Sequence, residues 1–580
     1  MKIIIQYYIV ASMYIETVST RRGGKIYKCI LLRESFREDG KVKHRTIANL
    51  TNRPDDEISA IRFALKHKGQ LPNDIAILDK GDLDCEQGLN VGAIIVISKV
   101  AERLGITQSL GCSRNGKLAL WQVMARIIQQ GSRLGAVRLA ETHAACDILG
   151  LGKFIEDHLY RNLDWLASKQ IEIEDRLFKL KQAKSHCHLF LYDVTSSYLE
   201  GECNEFGEFG YNRDKKKGKK QIVIGLLTDH EGDPVSVQVF HGNTSDNTTV
   251  LEQIQKIVVR FGVKRSIFVG DRGMLKGPQL AQIGDQAEHI TALTTLQIRT
   301  LIKQKVFSLG MFQNNTQTIH HNGLRYILRR NPIRQQEMQE IREKKRKSVE
   351  SLVDEKNNYL ERSKRASEIA ACKAVNAKLK KLAIDKWLKV KSQERKLILE
   401  VDLKALDVAS ELDGCYVIKT NVKESLEATS KIIHDRYKDL ALVEWAFRTC
   451  KEEFLELRPH YVRKAKRTEG HVFVIMLAYK IVRYLAQCWR EIGVTIEEGI
   501  QELDSICLNT VMNNYKASFK VIPKPRLLGR KLLEALNIQL PKVVSDKGIV
   551  ISPRKKLVRH PSVRHGAIHN ESEVTSTKKA

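Results

Sequence analysis

The sequence predicts an α/β fold in which a central sheet is interrupted by a long helical insertion. Three observations carry this. Between residues 186 and 299, apolar runs rich in β-branched residues alternate with turn signals and helical periodicity, in the order β-β-β-α-β-α-β. From Ile333 to Asp413 there is no Gly and no Pro, and much of that stretch is Lys/Glu-rich at helical spacing. Strand texture then returns at Asp413–Asn421, just ahead of another helix.

The 580 residues are enough for about three or four domains. Hydrophobic residues make up 42%, so a sizeable core is expected and wholesale disorder is not. Lys plus Arg number 97 against 68 Asp plus Glu, a formal net charge of +29. The excess is spread along the chain, which favours a polyanionic partner, nucleic acid before an acidic membrane surface. No amphipathic anchor, lipidation signal or run of about 18 apolar residues argues for a membrane. Eleven Cys without a Cys-x-x-Cys argue against a disulfide framework and for a reducing, cytoplasmic compartment. In His186-Cys187-His188, strand alternation puts Cys187 opposite both histidines, so a shared metal is not expected. The apolar start, Met1–Val10, is too short to span a membrane; Met13 is an alternative start, with the preceding residues as a leader.

Residues 13–68 read as strands at Lys25–Leu32 and Lys43–Leu50 around an Asp39-Gly40 hairpin signal, then a helix from Asp56 to Lys66. Arg21, Arg22, Lys25, Arg37, Lys41, Lys43 and Arg45 make a basic edge, suited to backbone phosphates or simply to protecting an exposed strand. Residues 91–182 read as short helices: Gly92–Leu104 stopping at Gly105, Leu118–Gln130 ending at Gly131, and a Ser132-capped third. With Arg126, Arg133 and Arg138 expected on the surface, this pattern fits a helix-turn-helix DNA reader, although any helical bundle would show it.

From residue 188 the elements are a buried strand ending in Asp193, a polar loop with Arg213, Lys215, Lys216, Lys217, Lys219 and Lys220, and strands at Gln221–Thr228 and Pro234–Phe240. A helix, Val250–Phe261, a strand, Ser266–Gly270, closed by Asp271, a helix near 277–283 and a short strand, Ile290–Leu293, follow. This order is that of a ribonuclease-H-like domain. Residues 300–412 read as an insertion, with a hairpin at Asn322-Gly323 and long basic helices that could form a DNA-tracking arm or a solvated face. Glu469–Arg490 reads as an apolar helix packed beneath the Glu444 helix, and the basic tail from Ser552 as disordered.

Asp193 and Asp271 each close an apolar run, a poor position for core packing and a good one for a site at a sheet edge. In the ribonuclease-H-like order those strands are neighbours. Two adjacent carboxylates repel unless a cation lies between them, and hard oxygen ligands select Mg²⁺, with Mn²⁺ able to substitute. Glu444 lies on a helix that would complete a two-metal site for in-line attack on a phosphodiester. Tyr437, Glu444 and Lys451 recur every seven residues, within roughly 20° of one helix face. That face alone would read as solvated; with the two Asp upstream, Tyr437 and Lys451 become candidate holders of a flanking phosphate.

At these residues the chain resembles an insertion-sequence DDE transposase with a Tyr-x2-Arg-x3-Glu-x6-Lys signature. Here it reads Tyr437, Leu440, Glu444, Lys451, with Leu440 where the family has Arg. Either Arg436 or Arg448 takes over that phosphate contact, or the contact is absent. Asp193–Glu200, Gly242-Asn-Thr-Ser-Asp246 and Val269-Gly-Asp271-Arg272-Gly273 are similar to the family's first and second Asp regions, and Glu444–Lys451 with Arg458-Pro459 to its third. The resemblance implies Asp193, Asp271 and Glu444 as metal ligands and catalytic residues. It also implies binding to terminal inverted repeats, cleavage with Mg²⁺ and strand transfer into target DNA by a dimer or larger assembly. Tyr437, Arg448, Lys451, Arg272, Lys216, Lys217, Lys219 and Lys220 are the expected DNA contacts.

The expected organisation is an N-terminal β-hairpin and helix unit (1–80), a helical DNA-binding region (81–185), and the first part of the catalytic domain (186–299). The insertion (300–412), the last part of the catalytic domain (413–495) and a helical region with a basic tail (496–580) complete it. The expected function is a bacterial cut-and-paste DNA transposase, cytoplasmic and nucleoid-associated. A nuclease that cleaves without joining, and an inactive DNA-binding derivative, are the alternatives.

Overall fold

The computed structural model describes residues 12–38, 41–66, 83–184, 187–214, 216–272, 274–275, 287–457, 462–513 and 518–541. The Asp39-Gly40 turn, Lys215, Gly273, the helix expected near 277–283, Arg458-Pro459 and the tail from Ser552 lie outside these. The chain forms two units, residues 1–85 with 511–519, and residues 86–510 with 520–580.

The first unit is a three-stranded antiparallel sheet, Ser12–Arg22, Lys25–Glu38 and Lys41–Asn49, followed by a helix, Asp55–Lys66. The first strand was not expected. Its turn is Gly23-Gly24, both at positive φ, between the paired Arg22 and Lys25. Of the basic edge, Lys43 pairs with Glu38 at 2.6 Å and Arg45 with Glu34 at 2.6 Å, whereas Arg21, Lys25, Arg37 and Lys41 are exposed.

The second unit is mixed α/β. Its eight-stranded sheet runs, edge to edge, Gln317–His321, Leu324–Arg330, Cys415–Thr420, Glu288–Ala292, Ile267–Gly270, Leu189–Tyr198, Gln221–Asp229, Pro234–His241. Leu189–Tyr198 pairs parallel with Ile267–Gly270 and antiparallel with Gln221–Asp229. Strand parity sorts the side chains. Leu189 and Leu191 join the larger core cluster, while Phe190, Tyr192 and Val194 join a second cluster with Val250, Ile254 and Phe268 on the opposite face. Both faces are covered, so Gln221–Asp229 is buried at every position.

Four expectations change. Leu189–Tyr198 does not end at Asp193: its antiparallel ladder continues to Tyr198 opposite Gln221. The hairpin at Asn322-Gly323 is not part of a separate insertion, because Leu324–Arg330 pairs with Cys415–Thr420 and extends the main sheet. The insertion itself has a core of its own, built by the helices Pro332–Arg362 and Glu368–Lys381 with a hairpin, Leu388–Gln393 and Lys396–Val401. That hairpin turns at Glu394-Arg395, both at positive φ without a Gly to announce it.

The fourth concerns residues 92–182. Their helices share the sheet's larger core cluster, packing on the helix Ala465–Trp489 through Glu156–Gln182 and Arg114–Ile128. Arg126 and Arg133, expected on a DNA-reading surface, are 7% and 5% exposed. Arg126 donates to Gly131 O at 3.0 Å, and Arg133 contacts His471 Nδ1 at 3.0 Å. Burial lowers their pKa to about 10 and about 9. These two arginines hold the core together and are not a DNA-reading face. Ala465–Trp489, with the turn that follows, is the one helix among the described residues long and apolar enough to cross a membrane; it is mostly buried as the centre of this core. It packs against the turn that follows the Glu444 helix and shares the core cluster with that helix's apolar side.

Candidate active site

The parallel ladder between Leu189–Tyr198 and Ile267–Gly270 stops at Tyr192 opposite Gly270. One register step further lie Asp193 and Asp271, so the two carboxylates come from adjacent strands at the same level. Both have the parity of Leu191 and Val269, which face the cluster containing Leu440, Val443, Ala446 and Phe447 of the helix Leu440–Arg448. The alternation that buries this helix's apolar side therefore aims Asp193 towards the element bearing Glu444.

Asp193, Asp271 and Glu444 line one cleft of about 350 Å³, with Thr195, Arg213, Asp246, Phe447, Arg448 and Lys451. Burial pushes the Asp193 carboxyl up to about 7, against the hydrogen bond from Val194 N, and the neighbouring Asp271 and Glu444 add to the rise. Asp271 Oδ1 accepts from Arg272 N at 2.7 Å and from the Tyr437 hydroxyl at 3.2 Å. Burial raises the Tyr437 pKa, and Asp271 raises it further. All the acidic donors are oxygens, and one of them holds its proton to near neutrality, so the donor set fits a hard divalent cation.

The sequence motifs place the family match. The family model for the transposase DDE domain matches residues 187–481, and that for the IS1634 family transposase N-terminal domain matches residues 15–75. The chain belongs to the insertion-sequence DDE transposases. It is a DNA transposase, an enzyme of the DDE class. Among solved structures, the chain is similar to a piggyBac transposase synaptic complex with hairpin DNA, at 8% identity and a TM-score of 0.34, over 71% of this chain and 76% of that one. No curated protein matches the chain.

The helix expected to carry Tyr437, Glu444 and Lys451 is three pieces in this transposase. Ser430–Lys438 ends at Asp439, Leu440–Arg448 follows, and a π-turn, Thr449–Glu453, completes it. Tyr437 reaches Asp271 and Glu444 is exposed in the cleft, whereas Lys451 lines the same cleft with only 9% of its side chain exposed. The wider π-turn directs it inward, where Nζ lies 2.7 Å from Asp214 Oδ1 and 3.1 Å from Thr195 Oγ1. Arg448 lines the cleft, and Arg272 is exposed next to Asp271. In the polar loop, Lys216 lies 5.7 Å from the Tyr198 ring and Lys219 pairs with Glu200 at 3.0 Å. Lys217 is exposed, and Lys220 is half-buried with its carbonyl accepting from Leu199 N.

Asp246 and Arg213 were not singled out as site residues. Arg213 donates to Asp246 Oδ1 at 2.6 Å inside the cleft. The Gly-Asn-Thr-Ser-Asp246 motif was the available signal, since it delivers an Asp to the first turn of a helix, Asp246–Gln255. A second group, Cys187, Asp229 and His230, has ligand atoms within 4.8 Å of one another. Asp229 already accepts from Lys181 and, at 2.9 Å each, from Glu231 N and Asp233 N, and burial pushes the Cys187 thiol up to about 12. Those bonds make it a braced turn.

Leu440, where the family has Arg, is 8% exposed and packed in the core at the start of its helix. Arg436 is paired with Asp439 at 3.0 Å, and of the two candidate arginines it is Arg448 that lines the cleft. Leu440→Arg would bury a cation at a helix N-terminus, so we expect it to lose about 2 kcal/mol or more of stability. Urea denaturation and a DNA-binding titration check this: lower stability without tighter binding is the expected result.

Proposed function

We propose that this transposase binds the terminal inverted repeats of its own insertion sequence, cleaves the ends and joins them to target DNA. Asp193, Asp271 and Glu444 are the metal-holding residues of a ribonuclease-H-like domain. The observation that carries this is their convergence on one cleft from three separate elements within the matched DDE domain. The strand order Pro234–His241, Gln221–Asp229, Leu189–Tyr198, Ile267–Gly270, Glu288–Ala292, with the first three antiparallel and the rest parallel, supports the ribonuclease-H-like reading.

When bound, Mg²⁺ (or Mn²⁺) lowers the pKa of an attacking water or 3′-hydroxyl and neutralises the leaving oxygen. The protein's own groups do the rest. Asp193, Asp271 and Glu444 hold the cation; Tyr437 donates to Asp271 and fixes its rotamer; Arg448 and Arg272 supply positive charge to the flanking phosphates. Lys216, Lys217, Lys219 and Lys220 extend that positive surface along the duplex. The protein works as a dimer or larger assembly on double-stranded DNA, in the bacterial cytoplasm at the nucleoid.

The test is Mg²⁺-dependent cleavage and strand transfer of a duplex carrying the element's terminal repeat, by wild type and Glu444→Gln. Loss of both products in the variant is expected. Equal cleavage by the two proteins would remove the assignment, and cleavage without joining by wild type would make the protein a nuclease.

A further inference from the structure

We propose that Lys451 positions the two halves of the active site and does not hold DNA. This rests on the assignment of Asp193 and Glu444 above. The family signature implies a lysine reaching a phosphate, but here only 9% of the Lys451 side chain is exposed and 4% of its partner Asp214. Its Nζ is engaged by Asp214 at 2.7 Å and Thr195 at 3.1 Å.

The three residues come from three separate pieces of backbone; Thr195, Lys451 and Arg213, the neighbour of Asp214, line the cleft. Thr195 is two residues beyond Asp193 on the same strand, hence on the same face about 7 Å away. Asp214 sits in the basic loop, and its other oxygen accepts from Tyr198 N at 3.1 Å, the last residue of that strand. Lys451 lies in the π-turn that directly follows the helix of Glu444. One buried ammonium therefore ties the Asp193 strand at two points to the Glu444 helix. A phosphate that drew Lys451 away would weaken its pairing with the buried Asp214 carboxylate, which is unfavourable. A π-turn costs helix geometry and recurs at functional sites, and here Lys451 lies within it.

The test compares wild type, Lys451→Met, Asp214→Asn, the double variant and Glu444→Gln on a terminal-repeat duplex. Binding is measured without divalent metal across a salt series, and cleavage across a Mg²⁺ series. Positioning predicts a salt slope for Lys451→Met equal to wild type, cleavage about 100-fold slower, and half-maximal cleavage at higher Mg²⁺. The double variant should recover part of the rate, because both members of the buried pair are then neutral. A phosphate contact predicts instead a slope shallower by about one and cleavage near wild type at saturating DNA, and that result overturns the proposal. So does a Lys451→Met enzyme indistinguishable from wild type. If Lys451→Met does not fold, Asp214→Asn carries the test: slower cleavage at raised Mg²⁺ with an unchanged slope supports positioning, and undiminished cleavage overturns it. Glu444→Gln separates the two levels. If it cleaves, the assignment of the site fails; if it is inactive while Lys451→Met changes the salt slope, only the role of Lys451 fails.

Discussion

Replacing Asp193 with Asn should abolish end cleavage and, at pH 8 without metal, make the protein more stable. The two halves of this result have one cause. The ordinary Asp value is 3.8, and in the folded protein Asp193 holds its proton to about 7 because burial, Asp271 and Glu444 all disfavour the anion. The folded state therefore binds more protons than the unfolded chain between those values. Stability falls as pH rises from about 4 to 7, and the full penalty is present above 7. A shift of about three units sets a ceiling of about 4 kcal/mol, of which relaxation and water entry will leave a fraction. Asn cannot ionise, so the variant escapes the penalty: it should unfold at higher urea than wild type at pH 8, and the gap should close towards pH 4.

Mg²⁺ should reverse the order. A cation bound only by the folded wild type stabilises it by mass action, and the variant, lacking one oxygen anion of the site, should gain much less. Cleavage should fall at least about 10³-fold, more than the 10–100-fold typical of removing a group that merely supports a ligand. Urea denaturation at pH 5 and pH 8, with and without Mg²⁺, checks the stability half. If Asp193→Asn were less stable than wild type at pH 8 and Mg²⁺ stabilised both equally, Asp193 would be a structural residue and not part of a cation site.

The residues that were legible in the sequence are those whose local context carries the signal. Asp271 follows directly on Ile-Phe-Val-Gly, and the Asn322-Gly323 hairpin has the backbone its residues predict. Asp193 was placed correctly beside Asp271 but wrongly at a strand end, because Thr195-Ser-Ser197 reads as loop while its ladder partner Ile222-Val-Ile224 keeps it extended. What was not legible depends on partners distant in sequence. Arg126 and Arg133 look like surface cations until Glu456 O and His471 are seen against them in the core. The pairing of Lys451 with Asp214, 237 residues away, is likewise invisible in the sequence. The seven-residue spacing of Tyr437, Glu444 and Lys451 assumed one regular helix, and the break at Asp439 and the π-turn after Arg448 invalidate it at the lysine.

The core that carries these elements includes a close helix crossing at Gly470, and Gly470→Val should break it. Gly470 lies near the start of the helix Ala465–Trp489, where that helix crosses Glu156–Gln182. A Cβ built on Gly470 would lie 2.2 Å from Leu163 O and 2.9 Å from its carbonyl carbon. Both are backbone atoms of a buried helix, so no side chain can rotate away; the helices must move apart. Separating them opens the interface around Leu163, Leu166, Phe473 and Leu477, all buried, and forfeits contacts along its length. Even Ala, which would ordinarily gain up to about 1 kcal/mol over Gly in a helix, should destabilise here. Val adds two methyls to the same collision, and we expect a loss of about 3 kcal/mol or more, in the range of severe overpacking. The urea midpoint checks it, with Gly152→Ala as control, since nothing lies within 4 Å of a Cβ there and its stability should not change. The effect should also reach the chemistry. Ala465–Trp489 packs on the π-turn that carries Lys451, so the fraction of Gly470→Val that remains folded should cleave more slowly than wild type. A variant with a lowered midpoint but a wild-type rate per folded molecule would show that the crossing supports the fold without positioning the turn.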